Sequence, residues 1–247
     1  MTAEGDPTQD GSDGSELRRG GDTVSATIVK APSRGVTPNL QDYEAARTPD
    51  FWARARDELD GLPGARGLNI AYEAVDRHAQ GARADHLALR WLGRSGEVRD
   101  FTFADLGRET SRFANVLRGL GLGKGDLVGV LSGRIPELYV AAIGTLKNRS
   151  AFSPLFSAFG PEPIRARLEL GHAKVLLTTQ TLYERKVAAL RAALPELEHV
   201  ILVGEGGEVT DVPGIWDYRR LMEQADDRFE IEPTDPEDIA LVHFTSG

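Results

Sequence analysis

The chain has 247 residues, no cysteine, a formal net charge of -9 at pH 7 and a pI near 5.1. That acidic balance argues against non-specific attachment to nucleic acid or an anionic membrane, which needs a basic field. The lack of cysteine excludes disulfides, thiolate metal sites and a cysteine nucleophile, and fits a cytoplasmic protein. The opening MTAEGDPTQDG lacks the basic-then-apolar order of a secretory signal, and no stretch reaches the roughly 18 consecutive apolar residues of a membrane span.

In chain order, residues 1–37 are rich in Gly, Ser, Asp and Thr with few large apolar side chains, so a disordered tail is expected. Thr48-Pro49-Asp50 reads as a helix start, with Thr48 as N-cap and Pro49 at the first position, leading into FWARARDEL and ending at Gly61. A second helix reads NIAYEAVDRHAQ, capped by Asn69, with Ile70, Ala74, Val75 and His78 on one face and Gly81 as its stop. HLALRWLG and EVRDFTF, around Gly93 to Gly96, read as a hairpin. Thr102 caps a long helix with Asp105 three residues on, and Phe103, Leu106, Phe113, Val116, Leu117 and Leu120 form its apolar stripe.

From there strands and helices alternate. DLVGVLS, AFSPLF, KVLLT, HVILV and IALVHF read as strands, separated by helices over IPELYVAAIGTLKN, PEPIRARLEL, TLYERKVAALRAAL and DYRRLMEQA. Short strands alternating with longer helices predict an α/β fold, a parallel sheet with helices on both faces. Ligands of such sheets bind at the carboxyl ends of the strands, which directs attention to Thr245-Ser246-Gly247 after IALVHF. Backbone N–H groups of such a turn can converge on phosphate oxygens, with the hydroxyls as added donors.

Other motifs are weaker. The cluster GLGLGKGD fits neither G-x-G-x-x-G nor a P-loop, since Lys124 is followed by Gly125; Gly121 and Gly123 are expected to end the long helix and Gly125-Asp126 to turn the chain. The five histidines show no metal-ligand spacing, and His78 and His172 read as partly buried helix-end residues. Arg165 and Arg167 read as surface charge, or as guanidinium forks of which one holds an anion such as a phosphate.

From about Asn39 to Gly247 the sequence resembles the adenylate-forming (AMP-binding) enzymes, and within them the AMP-forming acetate-CoA ligases, or acetyl-CoA synthetases. The resemblance is carried by LNIAYEAVDRH, FTFADLGRETSRFANVLRGLGLGKGDLVGVLSGRIPEL, SPLFSAFGPEPIRARLELGHAKVLLT and DIALVHFTSG. LKNRSAFSP departs from it, with bulkier Asn148, Arg149 and Ser150 where many relatives place a small Gly-Ala pair.

The resemblance implies ATP, Mg²⁺ and CoA as substrates and cofactor, and acetate as the acid. Thr245, Ser246 and Gly247 would open the ATP phosphate loop, and Arg165 and Arg167 would lie near the CoA phosphates. No catalytic or metal-binding residue is expected within these residues. The implied organisation is a tail over 1–37, an acetyl-CoA-synthetase-type region over 38–100, and the first part of the AMP-binding domain over 101–247, interrupted within the phosphate loop. By this reading the 247 residues alone complete neither half-reaction, and an unpaired IALVHF edge would favour self-association. Two other readings are a ligase for propionate or another acyl acid, and a non-catalytic fragment acting as a binding or assembly module.

Overall fold

Asn69 introduces the first packed helix among the described residues, accepting hydrogen bonds from the amides of Ala71 (2.9 Å) and Tyr72 (3.3 Å) as the sequence predicts. The computed structural model describes residues 37, 40–47, 50–204 and 212–245, so the expected tail falls almost wholly outside the described residues, as do Thr48 and Pro49. The chain divides into two units, 1–49 and 50–247. In the first, helix α1 (Tyr43–Ala46) is capped by the Asp42 carboxylate.

In the second, α2 (Phe51–Asp57) ends four residues before Gly61, which turns the chain at φ +73°. Past Asn69 the helix is π-helical over Tyr72–Asp76 before closing as α3 (Arg77–Ala79). The Arg77 amide bonds Tyr72 O, five residues back, so the turn takes more residues than an α-helical one and the inward face shifts. Val75 is buried as expected, but Ile70 and Ala74 face solvent, and Ala71 and Asp76 take their places inside.

Strands β1 (Leu87–Leu92) and β2 (Val98–Thr102) form the predicted antiparallel hairpin, a sheet of its own. It runs straight into α4 (Phe103–Gly119), whose capping box is complete: the Asp105 amide donates to Thr102 Oγ1 (3.1 Å) and the Thr102 amide to Asp105 Oδ2 (2.9 Å). We expect Thr102→Ala to cost about 1 kcal/mol of stability, read as a lower denaturation midpoint. The Thr102 N–H and hydroxyl hold the Asp105 pKa below its ordinary 3.8, so this contribution is present above that value and is lost as pH falls through the lowered one.

The main sheet comprises β3 (Leu127–Ser132), β4 (Ala151–Phe156), β5 (Ala173–Thr179), β6 (His199–Val203) and β7 (Ile215–Asp217). Its order is β4-β3-β5-β6-β7 and every pairing is parallel. The helices between are α5 (Pro136–Lys147), α6 (Pro161–Leu170) and α7 (Gln180–Lys186), and α8 (Tyr218–Gln224) follows β7. A 3₁₀ turn over Ala188–Ala193 replaces the second half of the helix expected after β5. Successive residues of β3 serve opposite faces: Val128 and Val130 pack with Phe113, Val140 and Ile201, while Leu127 and Leu131 pack with Ile164 and Leu176. Burial on both faces is why these strands read as unbroken apolar runs.

IALVHF does not form the expected strand. It makes one parallel bridge beside β4, Leu241 to Phe152, with Phe152 N donating to Ala240 O and Val242 N to Phe152 O, both at 2.9 Å. The next residue of β4 facing that side is Pro154, which has no N–H to continue the ladder. Ile239 and Leu241 are consequently exposed rather than buried.

Candidate functional site

Strand order reverses between β3 and β5: β3 connects onward to β4 on one side, while β5, β6 and β7 extend the sheet on the other. Such a switch point opens a crevice at the carboxyl ends of the strands. A cleft of about 750 Å³ lies there, formed by Ile135 and Glu137 at the start of α5, Thr179 and Gln180 at the end of β5, Gly204 after β6, and Trp91 of the hairpin. The Trp91 indole N–H donates to Arg134 O at 2.7 Å, fixing the hairpin to the loop after β3. Arg99 reaches across to Glu137 at 3.3 Å and separates this cleft from a lobe of about 370 Å³ around Tyr218. Burial, with the negative charges of Glu137 and Glu109, pushes the Tyr218 phenol pKa up, so it is a neutral hydrogen-bonding group at any physiological pH.

A second feature runs toward the expected phosphate turn. Residues 226–245 cross the body as a strap whose acidic side chains meet basic ones beneath: Asp227 with Arg112, Glu230 with Arg66, Glu232 with Arg149, and Asp235 and Asp238 with Lys124. Most of these pairs are exposed, and such pairs contribute about 0–1 kcal/mol each. Two backbone contacts add direction: Thr234 N donates to Leu68 O at 2.8 Å, and the Phe152 bridge follows.

The strap ends at Phe244 and Thr245. Val242 packs into the core on the α6 side, and Phe244 lies over that helix, so close that a Cβ on Gly171 would sit 3.4 Å from its ring. The Arg167 guanidinium stacks 4.3 Å from the Phe159 ring centroid and 5.9 Å from that of Phe244. It also donates from Nη1 to Pro163 O at 2.9 Å, while its Nε is buried without a hydrogen-bond partner. Arg165 is engaged on its own helix by Glu162 at 2.6 Å and Glu169 at 2.5 Å, which hold its pKa up.

Thr245 is exposed; Ser246 and Gly247 lie outside the described residues. The segment before Thr245 pairs with β4 only beside Phe152, the second residue of that strand, and Pro154 offers no N–H to extend the pairing. Arg167 and the segment before Thr245 are thus neighbours, and neither Arg165, Arg167 nor Thr245 lines the switch-point cleft.

The remaining motifs are structural. Gly121 and Gly125 take φ of +86° and +83° in the turn between α4 and β3, as the sequence implies. Arg149 holds φ +61° where a smaller residue was expected, and its carbonyl accepts the Gly125 amide at 2.9 Å. His78 packs half-buried against Phe103, whereas His172 is exposed beside Glu196 rather than partly buried. Arg99, Glu137 and Gln180 of the cleft were not singled out in the sequence; only the general rule for parallel sheets pointed to their strand ends.

Comparison with known proteins agrees with this architecture. The model of the AMP-binding enzyme family matches residues 75–247. The acetyl-coenzyme A synthetase of Bacillus subtilis is 37% identical over 210 residues, covering 85% of this chain and 36% of that protein. That of Gemmatimonas aurantiaca is 30% identical over 241 residues, covering 84% and 37%. Among solved structures, a Brucella canis acyl-CoA synthetase superposes with a TM-score of 0.72 at 28% identity, covering 83% of this chain and 36% of the other. An anthranilate CoA ligase solved with anthranoyl-AMP gives 0.65 at 25% identity, covering 75% and 33%. The chain therefore spans about a third of the length of the curated relatives it matches.

Proposed function

The chain belongs to the AMP-binding enzyme family, and on that premise we propose that it is the N-terminal part of an AMP-forming acetate-CoA ligase. The observation that carries this reading is the 37% identity, over 85% of the chain, to an acetyl-coenzyme A synthetase. The reaction has two steps. A carboxylate oxygen of acetate attacks the α-phosphorus of ATP, forming acetyl-adenylate and expelling pyrophosphate. The CoA thiol then attacks the acetyl carbon, loses its proton, and releases AMP.

Within this reading Thr245, Ser246 and Gly247 open the loop that meets the ATP phosphates, where fixed N–H and hydroxyl donors stabilise developing charge. Arg165 and Arg167 serve the CoA phosphates. Arg165 would have to give up Glu162 and Glu169 to take part.

Magnesium would accompany the ATP phosphates in this reading; among the described residues no group of three or more His, Cys, Asp or Glu could hold a metal ion. The divisions near residues 37 and 100 belong to the same reading, as do a cytoplasmic location and self-association through the exposed Leu241 edge. No helix among the described residues is long and apolar enough to cross a membrane.

The test is acetate-dependent exchange of pyrophosphate into ATP. The 247 residues alone are expected to give none. Joined to the remaining two thirds of a full-length relative such as the Bacillus subtilis synthetase, they are expected to give exchange that prefers acetate to propionate. Exchange by the short chain would overturn its placement as a part; a folded but inactive chimera would overturn the ligase assignment.

A further inference from the structure

We propose that Arg167 is the positioning residue of the segment leading into Thr245: its guanidinium, stacked on Phe159 and Phe244, holds residues 240–245 against helix α6. The functional consequence, that Arg167 sets where the phosphate loop begins, rests on the ligase reading; the physical contact does not.

The segment needs such a hold because its backbone supplies little. Two hydrogen bonds at Phe152 seat it on β4, and Pro154 removes the donor that would extend them. Phe244 lies beyond that point, where packing has to replace the ladder. Arg167 is aimed at it by its own bond to Pro163 O, so the flat guanidinium is oriented before Phe244 arrives.

Its other ring, Phe159, is fixed in turn. Lys186 Nζ donates to Ser157 O at 2.6 Å and to Phe159 O at 2.8 Å, and Phe156 packs edge-on against Phe159 at 5.6 Å. The line Lys186, Phe159, Arg167, Phe244 therefore ties the loop after β4 to the strap through one cation. A cation over two aromatic faces is attracted by the ring quadrupoles, and a planar guanidinium can serve both. Arg165, two residues earlier on the same helix, turns to Glu162 and Glu169 and touches neither ring.

Residue-resolved hydrogen exchange on the 247-residue chain tests this. Arg167→Met keeps the length of the side chain and removes the charge; the Val242 and Phe152 amides are expected to exchange about fivefold faster, the size of one exposed cation–π contact. Amides of β3 and β5 should not change. Arg167→Lys should restore most of the protection, which a purely space-filling role would not require, and Arg165→Met should leave it untouched. Phe244→Leu approaches from the other partner: it should reproduce the acceleration, and the double variant should add nothing further. Unchanged exchange at Val242 in Arg167→Met, an equal rise in Arg165→Met, a uniform rise across the sheet, or additive effects in the double variant would each overturn the proposal. None of these readouts depends on pyrophosphate exchange, so failure of the ligase assignment is distinguishable from failure of the contact.

Discussion

Lys147→Met is expected to remove about 3–5 kcal/mol of stability, the scale seen when one partner of a buried ion pair is deleted. The Lys147 side chain is 0% exposed, and its Nζ donates to Asp76 Oδ1 at 2.8 Å, Ser111 Oγ at 3.1 Å and Gly107 O at 3.2 Å. All three ammonium donors are thereby satisfied. Burial pushes the Lys147 pKa down and the Asp76 pKa up, the shared mark of two charges taken out of water, while their mutual attraction opposes both shifts.

Methionine fills the volume but leaves the Asp76 carboxylate buried and uncompensated, with an Oδ2 that already lacks a partner. Replacing both residues, as Asp76→Leu with Lys147→Met, is expected to recover most of the loss, because an apolar pair carries no desolvation cost. The pH dependence gives an independent sign. A raised Asp76 pKa means the folded state favours the protonated acid, so the deficit of the Lys147→Met variant should be smallest near and below pH 3.8 and grow as pH rises through the raised value. Urea titration reads both effects as midpoint shifts at constant slope. A loss under about 1 kcal/mol in the single variant at neutral pH would mean the pair is not the buried anchor described here.

The sheet and its helices were legible because their signals are local. Apolar runs marked the strands, and Thr102 with Asp105 marked the start of α4 from four consecutive residues. What stayed hidden depends on residues far apart in the chain. Lys147 and Asp76 are separated by 71 positions and meet only where the end of α5 crosses the π-helical turn. That turn has no periodic signature at the length of one turn, so a 3.6-residue pattern put Ile70 and Ala74 inside and missed Asp76.

The site divides in the same way. Thr245 and the two arginines were singled out from their sequence context, but the cleft unites Arg99 with Glu137, 38 positions away, through the hairpin's placement over α5. IALVHF carries a strong strand pattern, and it failed because of Pro154 in a different strand. A ladder needs donors from both partners, and one partner's composition says nothing of the other's.

Gly144→Val should be nearly as damaging as the loss of Lys147, at about 3 kcal/mol, from overpacking. At Gly144 α5 lies tight against α4: a Cβ there would sit 2.9 Å from both Cβ and Cδ1 of Phe113 and 2.9 Å from Thr110 O. Even Gly144→Ala, which by helix propensity alone would gain about 1 kcal/mol, should be destabilising, and that reversal of sign is the sharper test.

Trimming Phe113 to leucine should not rescue either variant. Two of the three clashing atoms, the Phe113 Cβ and the Thr110 carbonyl oxygen, remain in place whatever the shape of the ring. The helices must separate instead. Because the first turn of α5 carries Glu137 at the cleft and its last residue is Lys147 in the buried pair, its displacement strains both at once. Thermal unfolding of Gly144→Ala, Phe113→Leu and the double variant decides the point. Costs that simply add place the limit in the backbone spacing of α4 and α5, and a double variant more stable than Phe113→Leu alone would place it in the Phe113 ring.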